Sequence, residues 1–225
     1  MIQLDFAAVL VDWPLLLRGA ALTLALTAAA TALGLALGVA CARARTHGGA
    51  VVRALATAYV EVIRNTPFIV QLFFIFFGLP SLGVRLSSEV ASIIAMTLNL
   101  GAYAAEIVRA GIEATPRGQL EAARSLAMTE RQVFLKVVLP PSLGRVWPAM
   151  VSQIVIVMLG SAVCGQIAAQ ELSYFTNLIM SRNFRSFEAN LVAAGIYLAM
   201  AVLLRQFLAW AGPRWLFGRV APTGR

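Results

Sequence analysis

The sequence predicts an all-α integral membrane protein with five transmembrane helices, its N-terminus outside and its C-terminus inside. Hydrophobic residues make up 60% of the 225-residue chain and charged residues only 12%, which is far more apolar than ordinary soluble domains. Five long intervals carry no Asp, Glu, Lys or Arg, and crossing a bilayer takes about 20 mostly apolar residues. The basic residues are concentrated in alternate connections between these intervals, which sets the orientation.

The predicted spans belong to a single domain that covers residues 1–225. They lie at about 15–42, 60–80, 88–108, 146–169 and 187–211. The residues before the first span include Asp5 and Asp12 and no Lys or Arg, so they lack the basic start of a cleavable signal peptide. We therefore expect the first span to remain in the mature protein.

The positive charge of the chain is explained by membrane topology. Basic side chains follow spans 1, 3 and 5, at Arg43, Arg45, Arg53, Arg109, Arg117, Arg124, Arg131, Lys136, Arg145, Arg214, Arg219 and Arg225. The opposite side holds Arg85, Arg182 and Arg185 together with five carboxylates. Because Lys and Arg accumulate in cytoplasmic loops, the N-terminus is outside, and no nucleic-acid partner is needed to explain the charge.

Span 1 contains Gly34 and Gly38, a pair of small residues that lets two helices approach closely in lipid. We interpret the pair as packing within one chain rather than as a specific dimer face. Cys41 in this span and Cys164 in span 4 are interpreted as small apolar side chains, without a disulfide.

Span 2 is predicted to break near Thr66 and Pro67. Proline lacks a backbone donor and disfavours helix in the preceding residue, so the amphipathic stretch 54–64 should end there. Thr66 is the expected N-cap of the restarted helix, with Pro67 at its first position. Gln71 follows one turn into the span, where its amide either lines a substrate path or bonds to another helix.

Span 3 places Asn99, Tyr103 and Glu106 on one helix face, at positions i, i+4 and i+7. These side chains either line a substrate path or hold the helix to its neighbours. Glu106 and Arg109 are spaced to form an ion pair. In span 4, Ser161 is a third candidate for the path.

The segment 113–140 changes character and is predicted to hold two short helices. Thr115-Pro116 should start the first helix, and Thr129 with Gln132 forms a capping-box pattern that starts the second. The turn between them falls at 127–128, and Pro140-Pro141 should end the second helix. A charged, partly apolar helical pair suits the docking of a protein better than free exposure to water.

Three stretches resemble the polar amino-acid permeases among bacterial ABC importers. EAARSLAMTERQVFLKVVLP, at 121–140, is similar to the EAA motif of these membrane subunits, with Glu121, Ala122, Ala123, Leu139 and Pro140 at matching positions. RNTPFIVQLFFIFFGLP, at 64–80, and LNLGAYAAEIVRAGIEATPRGQLEAARSLAM, at 98–128, resemble two further blocks of the family. The resemblance extends over about residues 13–172.

The resemblance implies a transport subunit rather than an enzyme. The segment 113–140, called the coupling segment below, would dock onto a partner ATPase dimer that binds ATP and Mg²⁺, while this chain binds no cofactor or metal. A second permease subunit, identical or a sister chain, and an extracytoplasmic solute-binding protein would complete the importer in the bacterial inner membrane. The sequence agrees, since it has no GxxxxGK[ST] phosphate loop.

Two departures from the family pattern stand out. Ala127 occupies the position of a family glycine, in a turn where a positive φ is expected. Residues 159–163 read LGSAV where many relatives read KDTSL, with loss of the Lys and the Asp, so the resemblance alone does not establish substrate specificity. The alternative function is a self-sufficient secondary transporter or channel, for which inverted repeats and buried charge pairs are expected.

Overall fold

The computed structural model describes residues 4–212 and Arg214, and this part of the chain is helical without any strand. Arg219 and Arg225, used above for the orientation, lie outside the described residues. The α-helices are α1 (Ala7–Leu10), α2 (Trp13–His47), α3 (Ala50–Arg64), α4 (Phe68–Phe73), α5 (Ser88–Glu113), α6 (Arg117–Ser125), α7 (Glu130–Gln132), α8 (Leu139–Gly160), α9 (Leu172–Asn183) and α10 (Ser186–Ala211). Phe74–Gly78 and Val133–Val138 are π-helical, while Leu79–Leu82 and Ser161–Ile167 form 3₁₀ turns.

Four helical stretches are long and apolar enough to cross a membrane by length and composition. They are α2, α5, the continuous stretch Glu130–Ile167, and α10. A fifth crossing arises if Ala50–Arg64 and Phe68–Leu82, which are bent by 110° at the break between them, form one span. The predicted number of five spans therefore agrees with the structure when this bent pair counts as one span.

The centre of the fold is the packing of α2 against α5, which depends on small residues. A Cβ atom added at Gly38 would lie 2.5 Å from the Cβ of Ala104, and one at Gly34 would lie 3.0 Å from the Cβ of Leu100. Both distances are shorter than ordinary van der Waals contact, so larger side chains would force the helices apart. The interpretation of this glycine pair as packing within one chain is confirmed.

The prediction that Pro140-Pro141 end the second helix of the coupling segment is wrong. The helix runs through both prolines from Glu130 to Ile167 without a break. The π-helical turn Val133–Val138 ends just before Leu139, so the prolines occupy the second and third positions of α8. The wider π-helical turn before them accommodates the two missing backbone N–H donors, so the helix continues through the prolines.

The predicted N-caps at the two Thr-Pro pairs are also wrong, each by one residue. Pro67 and Pro116 are themselves the N-cap residues of α4 and α6. The hydroxyl of Thr66 instead donates to the carbonyl of Val62 at 2.8 Å and so closes the end of α3. The hydroxyl of Thr115 lies 3.4 Å from that of Ser142.

Two helices were not predicted, the short α1 and the longer α9. α9 follows span 4, and the side chain of Glu171 caps it by accepting from the backbone N–H of Tyr174 at 2.9 Å. Glu171 is fully buried, and its carboxylate also accepts from the hydroxyls of Ser173 and Tyr197. These bonds satisfy the charged group away from solvent and fix α9 against α10.

Candidate functional site

The turn of the coupling segment is a Schellman motif centred on Ala127. The N–H of Met128 donates to the carbonyl of Ala123 at 3.4 Å, and the N–H of Ala127 donates to that of Arg124 at 2.9 Å. These are the two bonds that define the motif, which places its C′ residue in the left-handed region. Ala127 has φ 55°, so the predicted positive φ is confirmed. An alanine thus occupies the left-handed position of this turn, where glycine is the usual residue.

The two sides of α6 differ sharply in exposure. Ala123 is buried, 4% exposed, in a cluster with Val133, Phe134 and other apolar side chains of the coupling segment and the spans. Glu121 and Ala122 are exposed, as is Leu126, at 77%. The carboxylate of Glu121 has no hydrogen bond or ion pair with any residue in the described part of the chain. An outward face with a free carboxylate, a methyl group and a leucine is available to a partner.

The second half of the coupling segment starts with the predicted capping box, which is confirmed. The hydroxyl of Thr129 accepts a hydrogen bond from the backbone N–H of Gln132 at 3.3 Å. In return, the side-chain oxygen of Gln132 accepts one from the backbone N–H of Thr129 at 2.8 Å. An ion pair between Arg124 and Glu130, 3.1 Å long, crosses the turn. The two halves are therefore joined by backbone, side-chain and charge contacts.

Both ends of the coupling segment are fixed to the spans. The hydroxyl of Ser142 on α8 donates to the carbonyl of Gly111 on α5 at 2.9 Å. The guanidinium of Arg145 reaches the same carbonyl at 3.3 Å and that of Ala114 at 3.1 Å. Leu139 and Pro140, which match the end of the EAA motif, form the start of α8. Displacement of the segment would therefore act on α5 and α8 directly.

Two of the three predicted substrate-path residues contact each other. Gln71 is 8% exposed, and its Oε1 accepts from Nδ2 of Asn99 at 3.1 Å. Its Nε2 donates to the carbonyls of Ile63 at 2.7 Å and Thr66 at 3.1 Å. These carbonyls belong to the broken end of span 2, so the amide replaces helical hydrogen bonds lost at the break. These hydrogen bonds are the ones expected if the side chain of Gln71 serves to bond one helix to another.

Ser161 lies apart from that pair. It is fully buried at the start of the 3₁₀ turn that follows α8, and its hydroxyl donates to the carbonyl of Met158 at 2.6 Å. The structure shows no hydrogen bond between Ser161 and either Gln71 or Asn99. Cys41 and Cys164 are free thiols, and the described residues contain no group of three or more His, Cys, Asp or Glu side chains suited to a metal.

A charge network joins three helices near the coupling segment. The carboxylate of Glu106 on α5 bonds to Arg109 at 2.7 Å, as predicted, and also to Arg45 on α2. Arg64 at the end of α3 lies 3.8 Å away. Arg109 bonds in turn to Glu113 at 2.6 Å. The sequence indicated the local i, i+3 pair, but the contacts with α2 and α3 depend on tertiary packing and were missed.

Apolar spans connected by a rigid helical pair define a multi-pass membrane protein with a structured segment between two of its crossings. The sequence matches the family of binding-protein-dependent transport system inner membrane components over residues 34–216, and the chain belongs to that family. The motifs at 64–80 and 98–140 lie within the matched region.

Curated relatives agree with this membership. The chain is 33% identical over 204 residues to the glutamine transport system permease protein GlnP of Escherichia coli (strain K12), covering 90% of this chain and 93% of the relative. It is 37% identical over 150 residues to the probable glutamine ABC transporter permease protein GlnM of Bacillus subtilis (strain 168), covering 67% and 69%.

Solved structures support the same fold. A chain in the crystal structure of an amino acid ABC transporter with histidines is 33% identical, with a TM-score of 0.84, and the match covers 93% of this chain and 98% of that one. A chain of the MetNI methionine ABC transporter in an inward-facing conformation is 24% identical, has a TM-score of 0.69, and shows the fold alone. These similarities favour an importer subunit over the secondary transporter or channel considered as the alternative.

Proposed function

We propose that this chain is the transmembrane subunit of an ATP-driven importer that moves a polar amino acid or a close derivative across the bacterial inner membrane. The relatives named as glutamine permeases and the amino acid transporter structure support this substrate class. In this proposal the N-terminus is outside, and the coupling segment faces the cytoplasm, as the distribution of Lys and Arg indicates.

The observation that carries the proposal is the continuity between the coupling segment and a membrane span. Its second half and α8 form one helical stretch from Glu130 to Ile167. The outward side of its first half presents Glu121, Ala122 and Leu126. A partner ATPase that seats this face and closes on ATP would move the first half, and the turn at Ala127 with the Arg124–Glu130 ion pair would pass the displacement to the second half and α8. ATP can shift the transporter from one conformational state to the other only if the ATPase binds the coupling segment with a different affinity in each state.

The remaining parts of the importer come from other chains. ATP and Mg²⁺ would bind to the ATPase dimer, and this chain would bind no cofactor. A second permease subunit would share the pathway, and a solute-binding protein would deliver the amino acid from outside. Gln71, Asn99 and Ser161 stay proposed path residues, although the structure already uses the first two to hold the break in span 2.

The test is ATP-driven uptake of amino acids by the complete importer reconstituted in vesicles. Glu121→Lys reverses the charge of the free carboxylate on the outward face. We expect it to lower uptake and recovery of the ATPase with the complex by about tenfold, since a charge-assisted contact is worth about 1.5–3 kcal/mol.

Glu89→Lys is the matched control. Glu89 lies in the first turn of α5, at the end of that helix remote from the coupling segment, about 36 Å along its axis from Glu113. The control should retain both uptake and the bound ATPase. Normal uptake by Glu121→Lys, or an equal loss in the two variants, would contradict docking through this face.

A further inference from the structure

Two neighbouring cavities lie along α2, at the end of this helix nearer the coupling segment. One, of about 480 Å³, lies between the last turns of α2 and the second half of the coupling segment. The other, of about 340 Å³, lies deeper, between α2, α5 and α8. The α2 residues that line them, with Gly48 just after the helix, continue two i, i+4 rows: positions 35, 39, 43 and 47, and positions 36, 40, 44 and 48. The cavities therefore share one side of α2, about 12 Å apart along its axis.

The deeper cavity is apolar and open to the surroundings of the helix bundle. Its walls include Leu35, Ala36 and Val39 of α2, Val108 of α5, and Trp147 and Met150 of α8. Ala36 is exposed, as is Ala40 between the two cavities. A hydrocarbon chain can enter from the bilayer at these two alanines and fill the cavity without burying a polar group.

The outer cavity carries positive charge. The guanidinium of Arg43 lies 4.7 Å from the centre of the Phe134 ring, and it has no hydrogen-bond or ion-pair partner within the described ranges. His47 lines the same cavity. Arg53 adds a cation beside Gly48, which lines the cavity, by donating to its carbonyl at 3.1 Å. The carboxylate in the wall, Glu130, is already paired with Arg124. The unused donors of Arg43 suit an anion with several oxygen atoms.

The position of Arg43 along α2 sets the depth of this charge in the membrane. Residues 19–42 carry no charge and extend about 36 Å as a helix, slightly more than the hydrocarbon core. Arg43 is the first charged residue after them and so lies at the level of the lipid headgroups. This placement holds whichever side of the membrane the coupling segment occupies.

We propose that the groove formed by the two cavities binds an acidic phospholipid, with its phosphate on Arg43 and His47 and an acyl chain in the deeper cavity. Basic pockets between transmembrane helices, beside apolar surface, suit this class of lipid. The bound lipid contacts Glu130 and Phe134 and lies between α2 and the coupling segment. The site goes beyond the proposed function, because the lipid is not the transported solute.

The experiment uses the complete importer in lipid nanodiscs of phosphatidylethanolamine that contain phosphatidylglycerol with a photoactivatable acyl chain. After illumination, mass spectrometry of peptides locates the adducts. We expect them to be concentrated around residues 35–39 and 146–150. Arg43→Gln should lower these adducts about tenfold through loss of a charge-assisted bond to phosphate. Arg85→Gln, which removes an exposed arginine at the other end of the bundle, should leave them unchanged.

A second variant tests the binding of the acyl chain without changing the charge of the groove. Ala36→Phe fills the deeper cavity and should abolish the adducts there while Arg43 stays in place. A phosphatidylcholine probe of the same chain length should label the groove about tenfold less than phosphatidylglycerol.

The following results would overturn the proposal. They are equal labelling by the two lipids, adducts that are unchanged in Arg43→Gln, and adducts spread evenly over the lipid-facing helices. Displacement of the label by excess inorganic phosphate would instead assign Arg43 and His47 to a free anion and would also reject the lipid.

Discussion

Asn99 on α5 donates a hydrogen bond to the side chain of Gln71 on α4, over 3.1 Å. Gln71 uses its own amide to bond the carbonyls of Ile63 and Thr66, where the second span bends by 110°. The pair therefore links the broken span to the central helix of the fold. A break in an apolar span is stable only where its free backbone groups find partners, and here one glutamine supplies them.

Replacing Gln71 by Leu should destabilise the protein by about 2 kcal/mol, because two backbone carbonyls and the amide of Asn99 lose their partner. The measurement is reversible unfolding in detergent micelles. Gln166→Leu is the matched control, since Gln166 is exposed and its side chain has no hydrogen bond within residues 4–212. It should change the free energy of unfolding by less than about 0.5 kcal/mol. If the two variants changed the free energy of unfolding equally, Gln71 would not have the structural role assigned to it.

Ala127→Gly should stabilise the turn of the coupling segment by about 1 kcal/mol, because glycine adopts a positive φ without the strain that alanine carries. Hydrogen exchange of the amides at 117–132 measures the effect locally. The same substitution at Ala122, inside α6, should have the opposite sign and cost about 1 kcal/mol. Faster exchange in Ala127→Gly would show that the left-handed turn is absent in solution.

Glu106→Gln should cost about 2–4 kcal/mol of stability, since Arg45 and Arg109 would then face each other without the carboxylate between them. Glu113→Gln is the control, because it removes the second, more exposed partner of Arg109 and should cost less than about 1 kcal/mol. Thermal unfolding of the purified protein distinguishes them. If Glu113→Gln proved the more damaging change, the network would not be centred on Glu106.

Gly38→Ala should destabilise the α2 and α5 interface by about 1–3 kcal/mol, because the added methyl group would lie 2.5 Å from the Cβ of Ala104. The same change at Gly195 in α10 meets no atom within 4 Å and should stabilise that helix by up to about 1 kcal/mol. Unfolding of the two variants in micelles should therefore shift in opposite directions. A stabilising Gly38→Ala would contradict close packing at this crossing.

Local chemistry made part of this structure predictable. The capping box of Thr129 and Gln132 and the positive φ of Ala127 are set by residues within one or two turns of each other. The apolar spans were equally clear, since each contains a long interval without charge. The helical pair of the coupling segment and its turn could therefore be placed from the sequence before the fold was known.

Features that depend on tertiary packing could not be predicted. The π-helical turn before Pro140 is packed through Val133, Phe134 and Val138, and it allows the helix to continue where proline usually ends one. α9 begins at a buried Glu171 whose partner Tyr197 lies on another helix. The position of Gln71 was conspicuous, but its acceptors, the carbonyls of Ile63 and Thr66, are set by the 110° bend of the span.

The central claim is that the outward face of the coupling segment seats on a partner ATPase. The most direct measurement places a photo-crosslinking amino acid at Leu126, which is 77% exposed on that face, and at Glu89 as the remote position. Both variants are illuminated in the assembled importer. We predict a crosslink from position 126 to the ATPase subunit and none from position 89. Crosslinks from position 126 to lipid or to other permease residues, with none to the ATPase, would contradict the account.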